Sequence, residues 1–338
     1  YIETKQFDPA IEIYENIAKH KSSNIDDLNI LYYLYLEVED YKNAIKTLNK
    51  IEKKYGITEK HTIEKFKTYS KIGDDKKAIK EINNFIKKNP NNLDIIVLRG
   101  DIYLSYEQHE KAIEYYNKAL SIDSNFQVAL YGKFRAYLLK KDKINTEKII
   151  YQIISNRTIE IKDKIELIDN YLSTALYTFG DEEKYDDLFL LLIQMHPENY
   201  EVYNFYASFL KYNEEYKEAI HYYQKSIDIN PYNINAWLST AYIYFFEEKN
   251  LELAKETIKE SLIQVGENPH LYSYLGLIKQ NANQNDLALD AYFNALSILE
   301  KDREENTLHD IISDVYGNIA DIMFEKQEKK QAFDYYKK

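Results

Sequence analysis

An all-α stack of antiparallel helix pairs is the fold this sequence predicts, and three observations predict it. Tyrosine recurs at Tyr1, Tyr35, Tyr69, Tyr103 and Tyr137, each 34 residues after the last, and Ala10, Ala44, Ala78 and Ala112 keep the same interval nine residues behind. A fixed period of this length marks one supersecondary unit copied along the chain. Only 8 Gly and 5 Pro punctuate the 338 residues, too few for an all-β protein and suited to helices joined by short turns. Within a copy, apolar residues fall at i, i+3 and i+4, as in Ala112, Ile113, Tyr116, Ala119 and Leu120. Such units cannot bury their apolar faces alone, so they stack into an open superhelix.

Taken in order, ten second helices are expected, anchored at Ala10, Ala44, Ala78, Ala112, Thr146, Tyr185, Ala219, Ala254, Ala288 and Ala332. Their small anchors let the paired helices approach, as do Gly100, Ala207, Ala241, Gly276 and Ala320 on the first helices. Enlarging one of them should overpack the contact by roughly 1–3 kcal/mol. Tyrosines beside them fill the remaining volume, and their hydroxyls are expected to stay near water. Pro90, Pro197 and Pro231 close their copies in the turns leading onward. The first pair lacks most of its leading helix, and the last helix stops at Lys338 before its final apolar slot. Because natural arrays carry polar caps, the parent protein is expected to continue in both directions.

Two places break the period. Ala112 to Tyr185 spans 73 residues, five more than two repeats, and Ala288 to Ala332 spans 44, ten more than one. The division expected is therefore repeats over 1–126, a degenerate copy with a five-residue insertion over 127–165, and further repeats over 166–338, with lengthened helices near 297–312. The turn of the degenerate copy runs long around Ser155 to Lys164.

The copies resemble the tetratricopeptide repeat: an aromatic, Leu-Gly and Tyr on the first helix, then Ala, three residues and an aromatic on the second. One copy reads Ile96, Arg99, Gly100, Tyr103, then Ala112, Tyr116, Ala119. Another reads Tyr272, Leu275, Gly276, then Ala288, Tyr292, Ala295, and a third Trp237, Ala241, Tyr244, then Ala254, Ile258. The resemblance implies a right-handed α-α superhelix of about ten antiparallel helix pairs, first and last truncated. It also implies an inner groove lined by the first helices. Carried onto this chain, that lining includes Tyr131, Arg135, Asn170, Tyr177, Asn204, Tyr212, Tyr242, Phe246 and Tyr274 as peptide-contacting residues, with Asn29, Asn170 and Asn204 in one slot. Tyr and Phe would anchor a peptide and Asn would pair with its main chain. The Lys and Asn clamp by which some relatives grip a C-terminal carboxylate is absent: its slots hold Asp26, Asn29 and Tyr33, then Lys60, Ile63 and Lys67, then Asp94, Val97 and Asp101.

Chemistry beyond binding finds little footing. The chain has no cysteine, which excludes disulfides, thiolate metal sites and Cys nucleophiles. Its seven histidines stand singly, and it contains no phosphate loop, Gly-x-Gly-x-x-Gly or Gly-x-Ser-x-Gly. Asp74-Asp75 and Asp186-Asp187 lie where helices should start and read as caps. No catalytic residue, cofactor or metal is expected. Neither is a membrane-spanning segment, since no run reaches about 18 apolar residues. The net charge of −12 is uneven: 26 Lys+Arg against 23 Asp+Glu over residues 1–150, and 18 against 33 over 151–338. That balance disfavours nucleic acid. The Lys-rich stretch from Lys53 to Lys88 reads either as solvated helix faces or as a dock for an acidic partner.

The sequence thus predicts a non-catalytic scaffold that holds a protein or peptide segment in its groove. Two alternatives stand beside it: a structural subunit of a bacterial envelope assembly, and a peptide-sensing regulator with its output domain elsewhere. The chain also resembles long bacterial repeat proteins exported to the cell envelope, through runs such as Asp40-Tyr41-Lys42-Asn43-Ala44-Ile45. That resemblance implies the periplasm or envelope, with the cytoplasm as the other compartment. Ligand identity and oligomeric state are not written in the sequence.

Overall fold

The computed structural model of the chain describes residues 6–20, 23–179, 185–301 and 309–338, without the side chains of 176, 177, 301, 309 and 310. Among the described residues there is helix and turn but no strand. A leading helix, α1 (Phe7–Lys19), is followed by nine pairs. The first four are α2 (Ile25–Glu37) with α3 (Tyr41–Tyr55), α4 (Glu59–Lys71) with α5 (Asp75–Lys88), α6 (Leu93–Ser105) with α7 (His109–Ile122), and α8 (Gln127–Leu139) with α9 (Lys143–Ser155). Next come α10 (Ile161–Phe179) with α11 (Asp186–Met195), and α12 (Tyr200–Tyr212) with α13 (Tyr216–Ile229). The last three are α14 (Ile234–Tyr242, prolonged by a π-helical turn Ile243–Glu247) with α15 (Leu251–Val265), α16 (Pro269–Asn281) with α17 (Asn285–Lys301), and α18 (His309–Glu325) with α19 (Lys329–Tyr336). The chain forms two compact units, residues 1–158 with 175–180, and residues 159–174 with 181–338. First helices such as α2, α4, α6, α8, α12, α14, α16 and α18 pack on the second helix of their own pair, and second helices such as α3, α7, α13, α15 and α17 pack on the first helix that follows.

The pairs form because each helix start and stop is encoded locally. Asp40, Asp74 and Asp142 accept the backbone N–H three residues on, at 3.0, 3.1 and 3.2 Å, which caps α3, α5 and α9. Between paired helices the chain reverses through one left-handed residue. Glu39, Gly73, Glu107, Lys141, Glu214, Lys249, Asn283 and Gln327 hold that slot, with φ between 53° and 74°. The next N–H closes the turn on the preceding helix, as in Asp40 to Tyr35 O at 2.8 Å and Gln108 to Tyr103 O at 2.9 Å.

The core is a relay of tyrosines set into glycine and alanine sockets. Tyr116 is fully buried, and a Cβ on Gly100 would stand 2.7 Å from its ring. Gly132, on the first helix of the next pair, meets the other side of the same ring, at 2.5 Å from a built Cβ. One tyrosine thus joins three helices. Tyr292 repeats the arrangement against Gly276 at 2.5 Å. The hydroxyls of these tyrosines do not reach water as expected: the Tyr116 hydroxyl donates to Asp101 Oδ1 at 2.6 Å, Tyr292 to Gln280 Oε1 at 3.0 Å, and Tyr223 pairs with Ser208 Oγ at 3.0 Å. Burial first, then the Asp101 carboxylate, pushes the Tyr116 phenol well above its ordinary pKa.

One anchor is corrected. Every other anchor is the fourth residue of its helix, whereas Tyr185 is the N-cap of α11 and Phe189 holds the fourth position, fully buried. Its ring lies 5.1, 4.8 and 4.6 Å from Phe205, Tyr206 and Phe209. A large ring thus stands where the other copies carry Ala or Thr.

Polar groups enter the core in several places. The buried face of α4 is entirely polar: His61, Thr62, Lys65 and Thr68. Lys65 is paired with Glu52 at 2.5 Å and Glu81 at 3.6 Å. The His61 ring bridges Thr58 Oγ1 at 2.9 Å and Asn29 Oδ1 at 3.1 Å, and burial lowers its pKa. At the start of α10, fully buried Lys164 pairs its Nζ with His196 Nε2 at 3.1 Å, and burial holds both groups below their usual pKa. The Asn156-Arg157-Thr158 turn is structural: buried Asn156 accepts from the Thr158 N–H at 2.9 Å and from its hydroxyl at 2.8 Å.

Candidate functional site

The second unit carries an open groove of about 430 Å³ along its first helices, lined by Lys211, Leu238, Ser239, Tyr242, His270, Ser273, Tyr274, Ile311 and Asp314. These residues come from α12, α14, α16 and α18. Asparagine caps set the start of three of these helices. Asn199 accepts from Glu201 N at 2.9 Å, Asn233 from Ala236 N at 3.4 Å, and Asn268 from His270 N at 3.0 Å. A fixed start fixes which residues of each helix look into the groove.

Its aromatic wall depends on the π-helical turn. Ala241 and Ala254 stand 13 residues apart, against 12 for Ala207 and Ala219 or for Gly276 and Ala288. The extra residue widens the turn: Glu248 N bonds to Ile243 O at 3.0 Å, five residues back, and Asn250 N reaches Tyr244 O at 2.7 Å, six back. On this turn Tyr242 and Phe246 place their ring centroids 4.8 Å apart, 39% and 45% exposed. Phe245 is buried behind them, perpendicular to Phe246 at 4.6 Å, and reaches the Tyr274 ring at 6.2 Å. Lys211 Nζ stands 5.2 Å from the Tyr242 centroid. The Tyr274 hydroxyl is buried with no hydrogen-bond partner, and burial raises its pKa well above the ordinary phenol range, with nearby Tyr242 adding to the effect.

Of the residues expected to face a ligand, Tyr242 and Tyr274 line this groove and Phe246 flanks it. Tyr212, one residue beyond Lys211, is 86% exposed. Asn204 is half-buried, and its Oδ1 already accepts from Asn233 Nδ2 at 3.2 Å, so one of its acceptor positions is taken. Asn29 is likewise occupied by His61, while Asn170 is exposed on α10. Tyr131 and Arg135 belong to α8 in the first unit and take no part in this groove. The side chain of Tyr177 lies outside the described residues. Lys211, His270, Ile311 and Asp314 are lining residues that the sequence reading passed over. A signal existed for two of them: His270 and Asp314 each stand six residues before the small contact residue of their helix, Gly276 and Ala320. Among the described residues no cluster of His, Cys, Asp or Glu could hold a metal ion, and no helix is long and apolar enough to cross a membrane.

Comparisons with known proteins bear on the repeat. The tetratricopeptide repeat family matches residues 96–126 and, separately, residues 200–233. A TPR repeat-containing protein of Methanocaldococcus jannaschii is 26% identical over 340 residues, which is 92% of this chain and 58% of that protein. The chain thus spans little more than half the length of this archaeal relative. Among solved structures, a tetratricopeptide repeat protein from Parabacteroides merdae covers 91% of this chain and 98% of its own, at 15% identity and a TM-score of 0.33. YrrB, described as a TPR protein with an unusual peptide-binding site, covers 66% of this chain and 94% of its own, at 17% identity and a TM-score of 0.30. Superpositions that low say nothing of the groove here. Repeats in register, two of them matched by the family, and a TPR relative along nearly the whole length show that this chain carries tetratricopeptide repeats in a stack of paired helices.

Proposed function

We propose that the groove across α12, α14, α16 and α18 holds a peptide segment of a partner protein, and that the chain acts on that partner by binding alone. The observation that carries this reading is the exposed pair Tyr242 and Phe246 on the π-helical turn, beside a groove with an apolar floor of Leu238 and Ile311. Exposed rings backed by a buried one are rigid, so they lose little entropy when a ligand covers them. Within the second unit, the other expected contacts Asn170, Asn204 and Tyr212 would extend recognition beyond this core.

The test is a displayed library of twelve-residue peptides selected on the wild-type chain. Binders should lose at least about tenfold in affinity toward Tyr242→Ala combined with Phe246→Ala, the loss expected of a central aromatic anchor. A selection that yields no binder, or binders indifferent to the double substitution, rejects the groove. The envelope compartment stays with this proposal, resting on the resemblance to exported repeat proteins; the absence of cysteine is compatible with it and equally with the cytoplasm. Recovery of the native protein with cytosolic markers on cell fractionation would end that part of it.

A further inference from the structure

Building on the peptide reading, the groove contains three polar groups that have no hydrogen-bond or ion-pair partner among the described residues. The Lys211 ammonium lies over the Tyr242 ring at 5.2 Å, and no carboxylate among the described residues is within ion-pair distance of it. At the far edge the Asp314 carboxylate has neither a donor nor a cation among the described residues. Between them the Tyr274 hydroxyl is buried and unbonded. An unmade hydrogen bond on a buried group costs more than a made one gains, so the Tyr274 hydroxyl favours a ligand that accepts from it, while half-buried Lys211 and exposed Asp314 offer charges to its two ends.

Their spacing limits what that ligand is. Lys211 is on α12 and Asp314 on α18, three helix-to-helix steps along the row of first helices. Packed helices lie about 8–10 Å apart, which leaves roughly 15–20 Å once the reach of both side chains is subtracted. A free amino acid cannot touch both ends, whereas an extended chain of about five or six residues, at about 3.3 Å each, can.

We propose that the groove selects an extended peptide with opposite charges at its two ends. Its acidic group lies against Lys211 and its basic group against Asp314. An apolar side chain between them rests on Leu238, Tyr242 and Ile311, and a main-chain carbonyl accepts the Tyr274 hydroxyl. The two charges fix register and direction, because a reversed peptide meets like charge at both ends.

Fluorescence anisotropy with three labelled octapeptides of common apolar centre tests this: Glu at the start with Lys at the end, the reverse order, and a neutral version with Gln at both ends. The wild-type chain should bind one charged order about fivefold or more tighter than the neutral peptide and than the reverse order. The variant carrying Lys211→Glu and Asp314→Lys, its helicity checked by circular dichroism, should prefer the other order. Equal binding of all three peptides, or an order preference that survives the charge swap, overturns the proposal while leaving the peptide groove in place. If none of the three binds at millimolar concentration and the twelve-residue library also fails, the peptide reading falls with it.

Discussion

At the scale of single residues, the packing rests on how closely a helix can approach a tyrosine ring. Gly276→Ala would put a Cβ 2.5 Å from the Tyr292 ring, which is fully buried and held at its far end by Gln280. The ring cannot retreat, so the substitution should destabilise the fold by roughly 1–3 kcal/mol. Gly317→Ala is the control, since nothing stands within 4 Å of its built Cβ and it lies inside α18. There the gain in helix propensity should stabilise by up to about 1 kcal/mol. Urea denaturation of the two variants should therefore move in opposite directions, and a shared sign would refute the socket account. The sockets at Gly100 and Gly276 are legible in the sequence, because each stands 12 residues before the anchor of its own pair. Gly132 is not legible, because its partner Tyr116 belongs to the preceding pair and no interval within one copy points to it. The half-buried partners of the tyrosine hydroxyls escape the sequence for the same reason of scale: Asp101, Ser208 and Gln280 look like surface residues of amphipathic helices until two helices are put together.

The same limit appears at the scale of elements. Helix existence and pairing follow from the period, whereas the turn between paired helices is hidden. Among the described residues its left-handed slot is announced by glycine at Gly73, and Glu, Lys, Asn or Gln hold it in the other turns. A left-handed non-glycine residue costs about 1–2 kcal/mol, of which glycine returns part as lost chain entropy. Glu107→Gly should therefore stabilise the chain by up to about 1 kcal/mol, and Gly73→Ala should destabilise it by about 1 kcal/mol or more although nothing lies within 4 Å of the new methyl. Thermal unfolding of both variants is the measurement, and a neutral Gly73→Ala would show the turn to be more adaptable than its φ of 74° implies. The register of α11 misleads for another reason. Tyr185 falls near the expected position in a stretch where the interval has already failed, and only the packing of Phe189 against three rings settles which residue is the anchor.

For the whole molecule, contacts run between neighbouring helices, and the boundary between the two units falls at Thr158, inside the stretch where the 34-residue interval first breaks. Stability in such an array is close to a sum of local terms. Hydrogen exchange on the Gly276→Ala variant should accordingly show faster opening in α14 to α18 and unchanged rates in α2 to α7. A uniform rise along the chain would mean that the array unfolds as one cooperative body. The candidate groove was legible in part: Tyr242, Phe246 and Tyr274 follow from their places on the first helices, while Lys211 and Ile311 emerge only where four helices lie side by side. The widened turn after Tyr242 carries one more consequence. An α-helix advances about 100° per residue, so one added residue would ordinarily swing every later side chain away from its seat. Here the increment is swallowed on the spot, and Ala254 still finds its socket. The stack therefore contains an expansion joint, a place where length was gained without disturbing the masonry on either side, and the rings that bulge from it are the visible trace of that repair.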